Sequence, residues 1–523
     1  MQTYFNKISL VIICIAPLIS SAQFSTKVID SEQNPNEPTI AIQPSNSDFI
    51  VASSNNDNFY YSIDGGTSWT KRQATSAYGV YGDPVLHYAG NTLFFAHLSK
   101  TEGKNWGDWF DRIVVQKITD PVNWIEKSYS VGYNNDKMQD KPWITSDDAE
   151  NLYVTWTEFD KYGSVDTNDR SRILFSKYSA ASDSFTKPVI VSDITGNCLD
   201  GDSTLEGATL SVGNNDELYL VWAGYHKIWM DISTDGGKTW NKDIIVATQN
   251  DGWDLDKPNI SRSNGMPFCT YNKKAEQLLV CYTDGDNTSN DENTIKLTSI
   301  SWKPNLPIQK TTSTVSYNSS AHQYFPNMIT NSKTGKSYVA YFDTRNSKHS
   351  AFYDIYLTEI GNENNIDLRI TSNSIPLPGD QFFFGDYIDL DLNNNLLAII
   401  YPKYDISKSS SIELFMLQDI DSFNILQWCP NPDDLKPQIN AIQKNDSIYV
   451  YANGYNTCTV KCKLKRKKGV FQKKYKYSEV LSAQGSAHEI LLGVAPISEY
   501  KYLKYRIKEM ESKTVYSRSI FLH

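Results

Sequence analysis

The sequence predicts an all-β protein, a seven-bladed β-propeller followed by an immunoglobulin-like or fibronectin-type β-sandwich. Three observations carry that prediction. One turn-forming octapeptide occurs twice, as Ser62-Ile63-Asp64-Gly65-Gly66-Thr67-Ser68-Trp69 and as Ser233-Thr234-Asp235-Gly236-Gly237-Lys238-Thr239-Trp240. A two-strand phrase recurs seven times between residues 37 and 401. Texture and charge then change together after Trp428.

At the N-terminus Lys7 precedes an apolar run from Ile8 to Ile19, and Ser20-Ser21-Ala22 follow before Gln23. That order reads as a secretory signal cleaved after Ala22, with a run too short to span a bilayer. Cys14 lies inside the run without the small residues that a lipoprotein leader would place before it. No second long apolar stretch follows, so the expectation is a secreted product, periplasmic or extracellular, with no membrane span. The expected organisation is a leader at 1–22, a propeller at 23–428 and a sandwich at 429–523.

In each octapeptide the Asp carboxylate can accept hydrogen bonds from turn amides, the glycines permit positive φ, and the Trp can fold back over the turn. The pattern Ser-x-Asp-x-Gly-x-x-Trp resembles the Asp-box, or bacterial neuraminidase repeat, of sialidases and other β-propellers. The resemblance implies that each box joins the two outer strands of a blade, away from the axis. It therefore implies a structural role for Asp64 and Asp235.

The recurring phrase is a polar residue beside Pro or Gly, a short apolar strand, a polar turn and a second strand ending in aromatics. It reads Glu37-Pro38-Thr39-Ile40, Asp83-Pro84-Val85-Leu86, Lys141-Pro142-Trp143-Ile144, Glu206-Gly207-Ala208, Lys257-Pro258-Asn259-Ile260, Phe325-Pro326-Asn327-Met328 and Gly385-Asp386-Tyr387-Ile388, each with its second strand. Starts at 37, 83, 141, 206, 257, 325 and 385 are 46 to 68 residues apart, the length of a four-stranded blade with loops. The two boxes are 171 residues apart, three blades of 57, and Tyr178 to Phe185 reads as a degenerate third. The seventh phrase runs out after Ile412–Met416, so residues 24–30 are expected to supply its outer strand and close the ring. Six blades, the number in sialidases, is the alternative.

Residues 431–523 hold 17 Lys+Arg against 8 Asp+Glu, and residues 23–430 carry −20. The acidic main body excludes general affinity for nucleic acid or long polyanions. The tail offers alternating strands and a basic run from Lys461 to Lys468, which reads as a solvated hairpin or as a tether to an anionic cell surface. Six cysteines remain after processing; Cys269 and Cys281 flank a hairpin where a cross-strand disulfide is one of the options.

In a propeller of this strand order, the starts of the inner strands converge on the central mouth. That ring would hold Glu37, Asp83, Asp140 with Lys141, Glu206, Asp256 with Lys257, His322 with Tyr324, and Asp386 with Tyr387. Each acid could instead cap its own strand, but a convergent polar ring in a concavity is the natural candidate site. Glu37, Asp83, Glu206 and Asp386 are the candidate catalytic acids, since glycosidic cleavage needs two carboxyls at a set separation. Trp143, Trp222, Tyr324 and Tyr387 could stack on sugar rings, with His322 beside them, although Trp222 and Trp156 also suit packing between blades. Asp200, Asp202 and Glu206 lie within seven residues and are candidate ligands for calcium.

The sialidase resemblance implies an arginine triad that grips the substrate carboxylate, a Tyr-Glu nucleophile pair and an acid-base Asp. Where that family has its Arg-Ile-Pro motif this chain has Asn36-Glu37-Pro38, an acid in place of a cation. Arg345, after the second strand of the sixth phrase, is the arginine best placed to reach the mouth or to pair with Asp343. The expected function is therefore a sialidase-like propeller that acts on or binds extracellular glycan, as a hydrolase using acids of the mouth. A non-catalytic binding scaffold and a polysaccharide lyase are the competing readings.

Overall fold

The computed structural model describes residues 24–255, 259–285, 293–316, 321–347, 351–361, 367–379 and 382–420, together with the backbone of seven strands between 438 and 521. The leader at 1–22, the residues Asp256, Lys257 and Pro258, and the 428/429 boundary lie outside the described residues. Among the described residues no helix is long and apolar enough to cross a membrane.

Seven antiparallel sheets of four or five strands follow one another along the chain, each built from its inner strand outward. The inner strands are Thr39–Ile42, Val85–Ala89, Met138–Ser146, Glu206–Val212, Phe268–Asn272, Gln323–Thr330 and Asp389–Asn393. The protein is thus a seven-bladed β-propeller. Its seventh blade is closed by Phe24–Asp30, which pairs antiparallel with Ser410–Leu417 and sets Phe24 opposite Leu417. The expected closing strand removes the raw edge that the chain would otherwise leave at blade seven.

The core lies between blades. Layers such as Val85, Phe94, Ile113, Trp156 and Leu174 join blades two and three, and Ile173, Leu210, Leu220 and Trp222 join three and four. Trp156 and Trp222 are wholly buried there, as packing residues. Side chains of the inner strands also bridge blades: Thr39 Oγ1 donates to Asp389 Oδ2 at 2.8 Å and accepts from the Leu86 amide at 3.0 Å, linking blades seven, one and two.

Both octapeptides connect the third and fourth strands of a blade, Asn58–Ser62 to Thr70–Gln73 in blade one and Lys227–Ser233 to Ile244–Thr248 in blade four. Asp64 Oδ1 accepts from the Ser68 amide at 2.8 Å and from Ser62 Oγ at 2.8 Å, and Asp235 Oδ1 accepts from the Thr239 amide at 2.9 Å. The carboxylates are spent within the turns.

Blade five departs from the expected register. Its inner strand begins after Met266-Pro267, so Lys257-Pro258 does not start it. Starts at 206, 266, 325 and 385 are then 60, 59 and 60 residues apart, a more regular spacing than the expected one. Residues 249–255 and 259–267 lie between the outer strand of blade four and this inner strand instead, with isolated bridges at Asp254–Asn264 and Ile260–Gly379. Cys269 and Cys281 are free thiols, so the cross-strand disulfide option is not taken. Cys281 faces Phe268 across the hairpin while Cys269 faces Val280, so the two thiols project to opposite faces of the sheet.

Beyond the propeller, strands Gln438–Lys444, Ser447–Gly454 and His488–Pro496 form a three-stranded sheet. Cys458–Arg466, Gln472–Glu479, Tyr500–Glu509 and Val515–Phe521 form a four-stranded one.

Candidate functional site

Five of the seven inner strands carry a kink at or near their start. Glu37, Asp83, Lys141 and Phe325, all followed by Pro, have φ of 47, 49, 47 and 48°, and Gly207 has 66°. A non-glycine residue held there costs about 1–3 kcal/mol, an outlay typical of functional concavities. Register shifts between Asp140 and Trp143 and between Glu206 and Thr209 accompany the kinks. The pleat is interrupted, and neighbouring residues such as Asp140 and Lys141 both serve the mouth instead of alternating between faces.

Four of the predicted acids meet there. Glu37, Asp83, Asp140 and Asp386 line one cavity of about 310 Å³ with Lys141, Arg262, Asn55, Tyr81, Tyr162, Trp106 and Phe383. Lys141 Nζ donates to Asp386 Oδ2 at 2.6 Å, and Arg262 donates to both oxygens of the same carboxylate. Arg262 also reaches Asp200 at 3.2 Å, which accepts further bonds from Tyr162 Oη at 2.6 Å and Trp253 Nε1 at 3.0 Å. Glu37 Oε1 accepts the Asp386 amide at 3.1 Å and its Oε2 accepts from Asn55 Nδ2, while Asn55 Oδ1 takes the Asp83 amide at 2.9 Å. Both cations of the mouth are thereby committed to acids of the protein.

The protonation pattern follows from that pairing. Burial works against charge on Asp386, but Arg262 and Lys141 overcome it and hold the carboxyl well below the ordinary range. Burial and then the charge of Asp140 push Asp83 up to about 7. Asp140 is raised by burial, against the pull of Lys141. Burial, with Asp83 and Asp386 adding to it, drives Glu37 well above the usual carboxylate range. Asp83 is thus a cavity-lining acid that exchanges its proton near neutrality, beside a carboxyl favoured by a cation.

The other expected residues fall elsewhere. Glu206 is wholly buried, lines no part of the cavity and has neither carboxylate oxygen hydrogen-bonded among the described residues; burial and the charge of Asp200 push it well above the ordinary range. Asp202 lies 3.5 Å from His226 and accepts the Asp254 amide. Asp200, Asp202 and Glu206 therefore form no joint cage, and no group of three or more His, Cys, Asp or Glu fit to hold a metal occurs among the described residues. Arg345 does not line the cavity: it donates to Asp343 and, at 2.5 Å, to Asp367 within blade six.

None of the expected stacking residues lines the mouth. Tyr324 is stacked on Phe342 at 5.5 Å in the core between blades six and seven. His322 Nδ1 lies 3.3 Å from Asn293 Oδ1. Tyr387 donates to the Pro84 carbonyl at 3.3 Å and meets Trp143 edge-on at 5.8 Å, and Trp143 meets Phe268 at 5.0 Å. Tyr387, Trp143 and Phe268 thus cover one another, and Trp143 lines a second cavity of about 370 Å³ to which all seven inner strands contribute. Large apolar rings close to the axis gain more from covering one another than from water.

Arg262 and Asp200 are the members of the site that the sequence reading gave no catalytic place. Arg262 was hidden because the segment before it reads as a strand. The signal that finds it is Met266-Pro267-Phe268, which restores the 60-residue spacing and leaves Arg262 in a loop over the mouth.

No family model matches the chain and no curated protein matches it. Among solved structures, a Trypanosoma rangeli sialidase with the inhibitor DANA is similar at 12% identity and a TM-score of 0.40, over 86% of this chain and 85% of that one. The polysaccharide lyase Uly1 is similar at 9% identity and 0.43, over 75% and 91%. A thermostable family-43 glycoside hydrolase is similar at 12% and 0.34, over 55% and 95%. Likeness at this level carries nothing about chemistry, and the propeller stands on the strand pairing described above.

Proposed function

We propose that the mouth is the active site of a glycan-acting hydrolase, with Asp83 donating a proton to the leaving oxygen of a glycosidic bond and Asp140 acting as its carboxylate partner. The observation that carries this is Asp83 itself, a cavity-facing acid poised at about 7 next to a second carboxyl. Glycosidic cleavage requires an acid able to give up a proton at working pH and a second carboxyl beside it. Asp386 holds Lys141 and Arg262 in place, and Glu37 orients the Asp386 amide and Asn55.

The same pairing argues for a neutral sugar. The arginine of this cavity is single and already bonded to two carboxylates, so a sialic acid or uronate carboxyl would enter a wall of acids without a free cation. The lyase reading, which also needs a free cation to neutralise a uronate, is disfavoured for the same reason. Export through the leader at 1–22 would place the activity outside the cytoplasm, and the basic tail would tether it to an anionic surface.

The test is turnover of a panel of neutral aryl glycosides, sialyl conjugates and uronate polysaccharides by the mature chain and its Asp83→Asn and Asp140→Asn variants. Hydrolysis of a neutral glycoside that falls in both variants supports the reading. Sialyl or uronate turnover would reject the neutral substrate, and glycan binding without turnover in the parent would make the protein a binding module.

A further inference from the structure

Trp106 is 61% exposed and Phe383 is 42% exposed, yet both line the same cavity as the acids. They come from different blades, the two that flank blade one. Trp106 sits in the long loop between the second and third strands of blade two, Thr92–Leu98 and Ile113–Asp120. Phe383 lies just before Asp386 at the start of blade seven.

Neither ring hangs free. Trp106 meets Phe110 edge-on at 6.1 Å, and the Arg262 guanidinium lies 5.4 Å above the Phe383 ring. The carbonyl of Phe383 accepts from Tyr404 Oη at 3.0 Å and from Asn36 Nδ2 at 3.4 Å, and Ser261 Oγ holds the neighbouring Phe382 carbonyl at 2.6 Å. Both apolar faces are therefore positioned before any ligand arrives, and their exposure is costly unless something covers them.

Between them the cavity presents carboxyls and the Asn55 amide, which suit hydroxyl groups. A neutral pyranose has the matching form, with an apolar C–H face for a ring and hydroxyls around its edge. We infer that Trp106 and Phe383 are the sugar-gripping walls of the mouth, setting affinity for a neutral oligosaccharide. The inference rests on the glycan reading above for its ligand class, and not on catalysis.

The test is calorimetric titration of the mature chain with cellotetraose, chitotetraose, mannotetraose and xylotetraose, repeated for Trp106→Ala, Trp106→Tyr, Phe383→Ala and Ile63→Ala. Ile63 is 66% exposed and sits in the outer box of blade one, so its variant serves as the control. At least one tetraose should bind the parent and lose about tenfold or more in affinity in Trp106→Ala and in Phe383→Ala. Trp106→Tyr should recover most of it, and Ile63→Ala should change nothing. Thermal melts of the variants within a few degrees of the parent keep folding out of the result. Unchanged affinity in both alanine variants, or no binding of any of the four sugars, overturns the inference. If the sugars bind as expected while Asp83→Asn retains full turnover, the assignment of Asp83 falls and the aromatic walls stand.

Discussion

Lys141 and Asp386 meet across the mouth with Nζ and Oδ2 2.6 Å apart, tying the start of blade three to that of blade seven through side chains only 7% and 2% exposed. Removing one partner of a buried pair leaves the other's charge uncompensated. Arg262 remains beside Asp386, so the loss is partial. Lys141→Met should lower the unfolding free energy by about 2–4 kcal/mol in urea titrations. A loss below about 1 kcal/mol would mean that the pair does not hold the two blades together.

On the proposed reading, Asp83 sets the pH dependence of turnover. A general acid poised at about 7 must carry its proton to work, so kcat/KM should fall as pH rises through about 7. Asp83→Asn should reduce turnover by about 10²–10⁴-fold and abolish that alkaline limb. An unchanged limb in the variant would assign the proton to another group.

Stability should show the same residue with a definite sign. The Asp83 carboxyl rises from 3.8 to about 7 on folding, so between those values the folded chain binds a proton that the unfolded chain has lost. Its favourable contribution is complete below about pH 4 and is lost as pH climbs through 7. Asp83→Asn should therefore melt higher than the parent at pH 8, by up to about 2–4 kcal/mol, and match it near pH 3.5. A difference independent of pH would contradict the linkage.

Closure of the ring can be probed at Asp30, whose carboxylate accepts from Tyr60 Oη at 2.6 Å and Lys71 Nζ at 2.7 Å and so pins the N-terminal strand to blade one. Asp30→Ala leaves the buried Tyr60 hydroxyl without this acceptor and should cost about 1–3 kcal/mol. Deleting residues 23–30 should expose the edge of blade seven and produce oligomers by light scattering. A monomeric deletion variant with the parent's melting temperature would show that the strand is dispensable.

The two boxes should differ in tolerance. Gly66 and Gly237 have φ of +81 and +83°, so Ala is strained at both. At Gly66 the new Cβ meets the flexible end of Met416, whereas at Gly237 it runs into the ring of Phe175. Gly66→Ala should cost about 1–2 kcal/mol and Gly237→Ala about 2–4 kcal/mol in denaturant titrations, with turnover retained in both. Equal costs would show that the Phe175 ring yields as easily as a methionine.

Much of the architecture was legible because it rests on local chemistry repeated along the chain. Turn residues at set offsets marked the boxes, X-Pro steps marked the inner strands, and a missing outer strand for the seventh phrase pointed to residues 24–30. Blade five was misplaced because Lys257-Pro258-Asn259-Ile260 carries the same local text as a strand start. Its pairing is decided by which apolar segment lies against Gln277–Gly285, and that is Phe268–Asn272. Glu37, Asp83, Asp140 and Asp386 were legible as a ring because repetition alone brings equivalent positions to one axis.

What each ring member does was not legible, because it depends on partners far away in sequence. Asp386 is held ionised by Arg262 and Lys141, which lie 124 and 245 residues away in sequence, while burial and the charge of Asp140 push Asp83 up to about 7. The aromatics divide in the same way. Tyr324 and Tyr387 are buried and Trp143 faces the second cavity, while Trp106 and Phe383 stand at the mouth, since local sequence marks a ring as apolar and only the packing of neighbouring blades leaves its face open or covered.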